Sequence, residues 1–91
     1  MNRYMVIATF RNGTDMSEVF AVAPDEVARV EALRAEGRIG AVYLSLPRGT
    51  VFIEVSAADE ADVGTVIGSL PMAKWWELDI HPITAPPTPG Q

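Results

Sequence analysis

The chain has 91 residues, 48% hydrophobic and 21% charged, with 12 acidic and 7 basic side chains for a net charge of −5. This composition excludes a disordered chain and gives one small domain whose limited core gains from self-association. The scattered basic residues argue against nucleic-acid binding. The lack of cysteine removes disulfides and thiolate chemistry and fits a reducing cytoplasm, and no apolar run approaches membrane-spanning length.

Residues 3–10, RYMVIATF, read as a strand with Tyr4, Val6, Ala8 and Phe10 on one side and Arg3, Met5, Ile7 and Thr9 on the other. Both sets are largely apolar, as in a central strand, and the parity leaves open whether Tyr4 or Arg3 faces away from the helices. RNGTD follows with turn chemistry, and its NGT is only a turn without a secretory signal; MNRYMVIATF is too short and mixed to be one. Thr14 or Asp15 then caps a helix, with Glu18 in its first turn. Met16, Phe20, Ala23, Val27, Val30 and Leu33 form one apolar stripe, broken or kinked near 22–24 by Pro24. The second part, 24–37, opens with proline and acids and stops at Gly37.

Residues 39–46 form a second strand with Val42, Leu44 and Leu46 on one side and Ala41, Tyr43 and Ser45 on the other. PRG at 47–49 signals a hairpin, and 50–55 form a third strand in which Val51, Ile53 and Val55 oppose Phe52 and Glu54. Residues 56–71 read as a helix capped by Ser56 or Asp59, burying Val63, Val66, Ile67 and Leu70 and ended by Pro71. Gly64 and Gly68 weaken it by roughly 1 kcal/mol each against alanine and suggest a close packing contact. Residues 74–83 make the fourth strand, with Trp76, Leu78 and Ile80 alternating with Trp75, Glu77, Asp79 and His81.

The order β-α-β-β-α-β is the α+β, ferredoxin-like plan: a four-stranded antiparallel sheet with helices on one face. One domain over 1–84 and a proline-rich tail over 85–91 are expected. The helix-free face carries many apolar groups, so pairing with the sheet of a second copy is the expected cover. That face also collects Tyr43, Ser45, Glu54, Glu77, Asp79 and His81.

Glu54 has two readings: an interface carboxylate hydrogen-bonded or paired with an arginine such as Arg3, or a desolvated general base. His81 is the only histidine, so no histidine-rich metal site is expected; it is a proton shuttle or an exposed residue at a strand end. Tyr43 is a hydrogen-bond donor to a substrate oxygen or an interface aromatic. Trp75 and Trp76 point to opposite faces, one into the core and one toward a ligand cavity or dimer seam, with Trp75 assigned to the ligand. Asp25 and Glu26 open the second helical stretch, where dipole complementarity is the simplest role. Ser-His-Asp, P-loop, GxGxxG and EF-hand patterns are all absent from the sequence.

PDEVARVEALRAEG at 24–37, FIEV at 52–55 and SLPMAKWWELDIHPI at 69–83 together resemble the muconolactone delta-isomerase family, whose members are dimeric α/β barrels. The resemblance implies a cofactor-independent enzyme of aromatic catabolism that moves a double bond within an unsaturated lactone, acting on a small molecule and assembling as a homodimer or a ring of dimers. It implies proton abstraction beside a carbonyl and return of the proton further along the conjugated system. Glu26 and Glu54 match acidic positions of the family, whereas Tyr4 and Val6 stand where its isomerases carry a histidine and a lysine. The expected catalytic set is therefore Glu54, Glu26 and Tyr4, with Tyr43, Trp75 and His81 contacting substrate and no metal. Two alternatives stay open: a cofactor-free monooxygenase or cyclase acting on aromatic polyketide-like compounds, and a non-catalytic ligand-binding module.

Overall fold

In the computed structural model, which describes residues 1–85, the alternating strands assemble into one antiparallel sheet of order β2-β3-β1-β4. The strands are β1 (Asn2–Phe10), β2 (Ile39–Ser45), β3 (Thr50–Ala57) and β4 (Trp76–Ile83). Three helices, α1 (Met16–Ala21), α2 (Ala23–Ala35) and α3 (Glu60–Gly68), lie between them in the chain. The order and pairing are those of the ferredoxin-like plan. Of the tail expected at 85–91, residues 86–91 lie outside the described residues.

Register decides which side chains meet. Val6 of β1 pairs with Ile53 of β3 and Ile80 of β4. Tyr4, Val6, Ala8, Val51, Ile53, Val55, Ala57 and Trp76 therefore share the helix-covered face, and all are buried. Val63, Val66, Ile67 and Leu70, the expected stripe of the last helix, close this core from above. Tyr4 thus takes the core side, and Arg3 joins the helix-free face. Ile39 pairs with Val55 and Val42 with Ile53, so two residues of β2, Gly40 and Ala41, lie opposite the single Glu54 of β3. This bulge returns Ile39 to the core, which strict alternation would deny it, and it brings the Gly40 backbone against the Glu54 carboxylate.

Local chemistry accounts for the helix ends. Asp15 caps α1, accepting the Ser17 backbone N–H at 2.9 Å. Val22 ends α1 and precedes α2, so Pro24 falls in the first turn of α2, where its missing N–H costs nothing. The stripe that reaches the core is Val19, Glu26 and Leu33, whereas Phe20 and Val27, expected inside, are 68% and 60% exposed. Asp59 caps α3 by accepting the Asp62 N–H at 2.8 Å. The Asp62 carboxylate accepts from the Ala58 N–H at 2.9 Å and from Arg38 Nη2 at 2.7 Å, tying α3 to the start of β2. Gly64 and Gly68 make no close contact: a Cβ at either would meet nothing within 4 Å. The PRG turn becomes a short 3-10 turn, Leu46–Arg48, closed by Gly49 at φ 57°. A second 3-10 turn, Pro71–Trp75, occupies what the sequence suggests is the start of β4.

Candidate functional site

The helix joint and the second 3-10 turn create a cleft between α1, α2 and the sheet. It has two adjoining lobes, of about 420 Å³ and 310 Å³, that share Ala23, Leu44, Val51 and Met72 as walls. The larger lobe lies under α1. Apart from Ser45, Gly49 and Thr50, its lining is apolar, with Phe10, Met16, Phe20 and Leu46 prominent. The smaller lobe lies under α2 and holds the charged groups Glu26, Glu31 and Arg34, along with Trp76.

Glu26 is 8% exposed, the one charged side chain in the core of the described residues. Its position follows from helical spacing, since it lies seven residues from both Val19 and Leu33, on the face that α2 turns to the sheet. The Met72 N–H, presented by the 3-10 turn, donates to Glu26 Oε1 at 2.9 Å. Burial pushes the Glu26 carboxyl above the ordinary carboxylate range, and the Met72 hydrogen bond only partly counters this. Arg34 does not neutralise Glu26. Its Nη1 is paired with Glu31, and its Nε and Nη2 point at the Gly40 carbonyl, 3.4 and 3.3 Å away.

Trp76 is 3% exposed and packs edge-to-face on Phe10, with ring centroids 6.0 Å apart. Its Nε1–H is buried without a hydrogen-bond partner among the described residues. A buried orphan donor is uncommon in a folded protein and favours any arrangement that brings it an acceptor.

Of the catalytic and substrate-contacting residues expected from the sequence, the cleft contains Glu26 alone. Tyr4 lies in the core opposite Val55 and Pro82 and lines neither lobe. Glu54 lies on the helix-free face, half-buried, and among the described residues it makes no ion pair, with Arg3 or any other cation. Met5 separates it from His81, so the two sit two strand spacings apart, roughly 10 Å. His81 Nε2 is 2.9 Å from Asp79 Oδ2, and both side chains are more than half exposed. Tyr43 is 65% exposed on the same face. Trp75 belongs to the 3-10 turn, with Lys74 Nζ 4.5 Å from its ring centroid. Trp76, rather than Trp75, reaches the cleft, and its shared parity with Leu78 and Ile80 is the sequence signal that places it there.

Among the described residues there is no group of three or more histidine, aspartate or glutamate side chains suited to a metal ion, and no helix long and apolar enough to cross a membrane. A family model described as muconolactone delta-isomerase matches residues 3–88. Comparison with curated proteins gives no match.

Proposed function

The chain belongs to the muconolactone delta-isomerase family, and on that premise we propose that it is a cofactor-independent isomerase acting on a small unsaturated lactone or related carbonyl compound, with Glu26 as the shuttling base. The observation that carries this reading is a single carboxylate buried in an otherwise largely apolar cleft, with its proton affinity raised by desolvation. A positioned carboxylate of raised basicity suits proton abstraction beside a carbonyl.

The chemistry balances without a co-reactant. The ionised Glu26 carboxylate removes a proton from a carbon conjugated with the carbonyl, and the electron pair moves onto the carbonyl oxygen to give a dienolate. The resulting carboxylic acid returns the proton to a carbon further along the conjugated system, so the double bond has moved and Glu26 is again ionised. The dienolate oxygen needs a donor, and Trp76, whose buried indole N–H has no partner among the described residues, lines the same lobe. Apolar walls keep water from the intermediate.

Glu54 belongs in this reading to a different surface. The helix-free face presents half-buried Met5, Ile7 and Phe52 around it, and pairing of two copies through this face would cover them. Light scattering at micromolar concentration tests that part; a monomer would count against it. The isomerase reading is tested by following a butenolide substrate by NMR in D2O. Transposition of the double bond, lost in Glu26→Gln and kept in Glu54→Gln, is the expected result. Oxygen consumption with a quinol substrate would instead point to a cofactor-free oxygenase.

A further inference from the structure

Three features of the cleft bear on which compound it accepts. The larger lobe is walled by Phe10, Met16, Val19, Phe20, Leu44 and Leu46, a hydrophobic lining of a size typical of small-molecule sites. Of these, Phe20, Leu44 and Leu46 are 68%, 64% and 81% exposed, so the rim of the concavity is an apolar surface left open to water. The charged lining of the smaller lobe is two carboxylates, Glu26 and Glu31, against one guanidinium, and Arg34 is already engaged by Glu31 and faces the Gly40 carbonyl. Among the described residues no surplus cation lines either lobe, and the chain as a whole carries −5.

We propose that this cleft takes an uncharged carbonyl compound bearing a hydrophobic chain or ring, with the carbonyl end beside Glu26 and the hydrophobic substituent in the larger lobe. The proposal rests on the isomerase reading for its orientation and goes beyond it in the class of ligand. Muconolactone, closed from one carboxyl of a diacid, keeps a free carboxylate. In this cleft that group would lie among apolar side chains or beside Glu26, without a free cation to receive it, and an ionised carboxylate buried unpaired is strongly disfavoured. A hydrocarbon substituent in the same place gains the transfer free energy of each methylene it buries.

The test is an NMR titration of the full chain with muconolactone, its methyl ester, and γ-lactones whose side chain lengthens from none to hexyl. The ester is expected to bind at least about tenfold more tightly than the acid. Affinity along the lactone series is expected to rise about fourfold per methylene until the larger lobe is full. Leu46→Asp and Phe20→Asp, both at exposed rim positions, should flatten that rise without changing the fold. Equal or tighter binding of the acid, or affinity independent of chain length, overturns the proposal. Turnover of the acid with the ester inert overturns it while leaving proton transfer by Glu26 intact. Chain-dependent binding with no turnover of any compound upholds the ligand class and removes the isomerase reading instead.

Discussion

Replacing Glu26 by glutamine separates the demands of the fold from those of the chemistry. The amide oxygen of glutamine keeps the 2.9 Å hydrogen bond from the Met72 N–H, so the 3-10 turn and the smaller lobe stay in place. What disappears is the base. A positioned general base contributes about 10²–10⁴ in rate, or about 3–5 kcal/mol of barrier, and kcat/KM should fall by that factor. Stability moves the other way. Burial raises the Glu26 pKa in the folded chain, so the folded state holds this proton to higher pH than the unfolded state does. As pH rises from the unfolded pKa through the raised folded one, the wild type loses stability. Glutamine has no proton to lose, so the variant escapes this decline and is at least as stable as the wild type at neutral pH. Glu26→Ala supplies the contrast, since it orphans the Met72 N–H and should cost about 1–3 kcal/mol of stability. Urea melts at several pH values and steady-state isomerisation of a butenolide read both effects. A Glu26→Gln protein that keeps more than a tenth of wild-type kcat/KM, or that is less stable than wild type at neutral pH, refutes the reasoning.

Further outcomes follow from the same geometry. The wild-type pH profile of kcat/KM should rise along an acid limb whose midpoint lies above the ordinary glutamate value, because only the ionised Glu26 is a base. Gly64→Ala should stabilise the protein by about 0.5–1 kcal/mol, a rise of a few degrees in melting temperature, since the residue sits in helix α3 and the new Cβ meets only open space. Gly49→Ala should cost about 1–2 kcal/mol in a urea melt although its Cβ also meets nothing, because φ is 57° there. Gly40→Ala would drive its Cβ into the Glu54 carboxylate. Its cost, measured in a double-mutant cycle, should shrink in a Glu54→Ala background, and additive costs would show that the two do not touch.

The strand order was legible because each strand carries its own parity and each helix its own stripe. Val63, Val66, Ile67 and Leu70 read as buried and are buried. The site was less legible because it depends on phase. A stripe drawn through Met16, Phe20 and Val27 follows the apolar residues, whereas the face turned inward is the neighbouring one, Val19, Glu26 and Leu33 at seven-residue spacing. Glu26 could be suspected from its match to a family position, but a carboxylate on the inward face goes against the apolar pattern that marks such a face in a sequence. Parity with Leu78 and Ile80 marks Trp76 for the core side, but a strand starting at residue 74 leaves Trp75 as a candidate on the other face, and the 3-10 turn over Pro71–Trp75 removes it from the ladder. The face of Glu54 was correctly inferable from alternation in β3, yet its contact with Gly40 needs the extra residue in β2, which parity alone does not reveal.

The joint at Val22 places Met16 and Phe20 on one short helix and Glu26 on the next. Under the proposed function, selectivity and reactivity would therefore lie in separate segments of chain. On the proposed reading, substitutions along α1 resize the compartment for the substrate's tail while the carboxylate keeps its hydrogen bond from Met72. A lineage built on this scaffold can change diet by editing six residues without relearning its chemistry, and a library restricted to Met16–Ala21 is the shortest route by which selection in the laboratory could do the same.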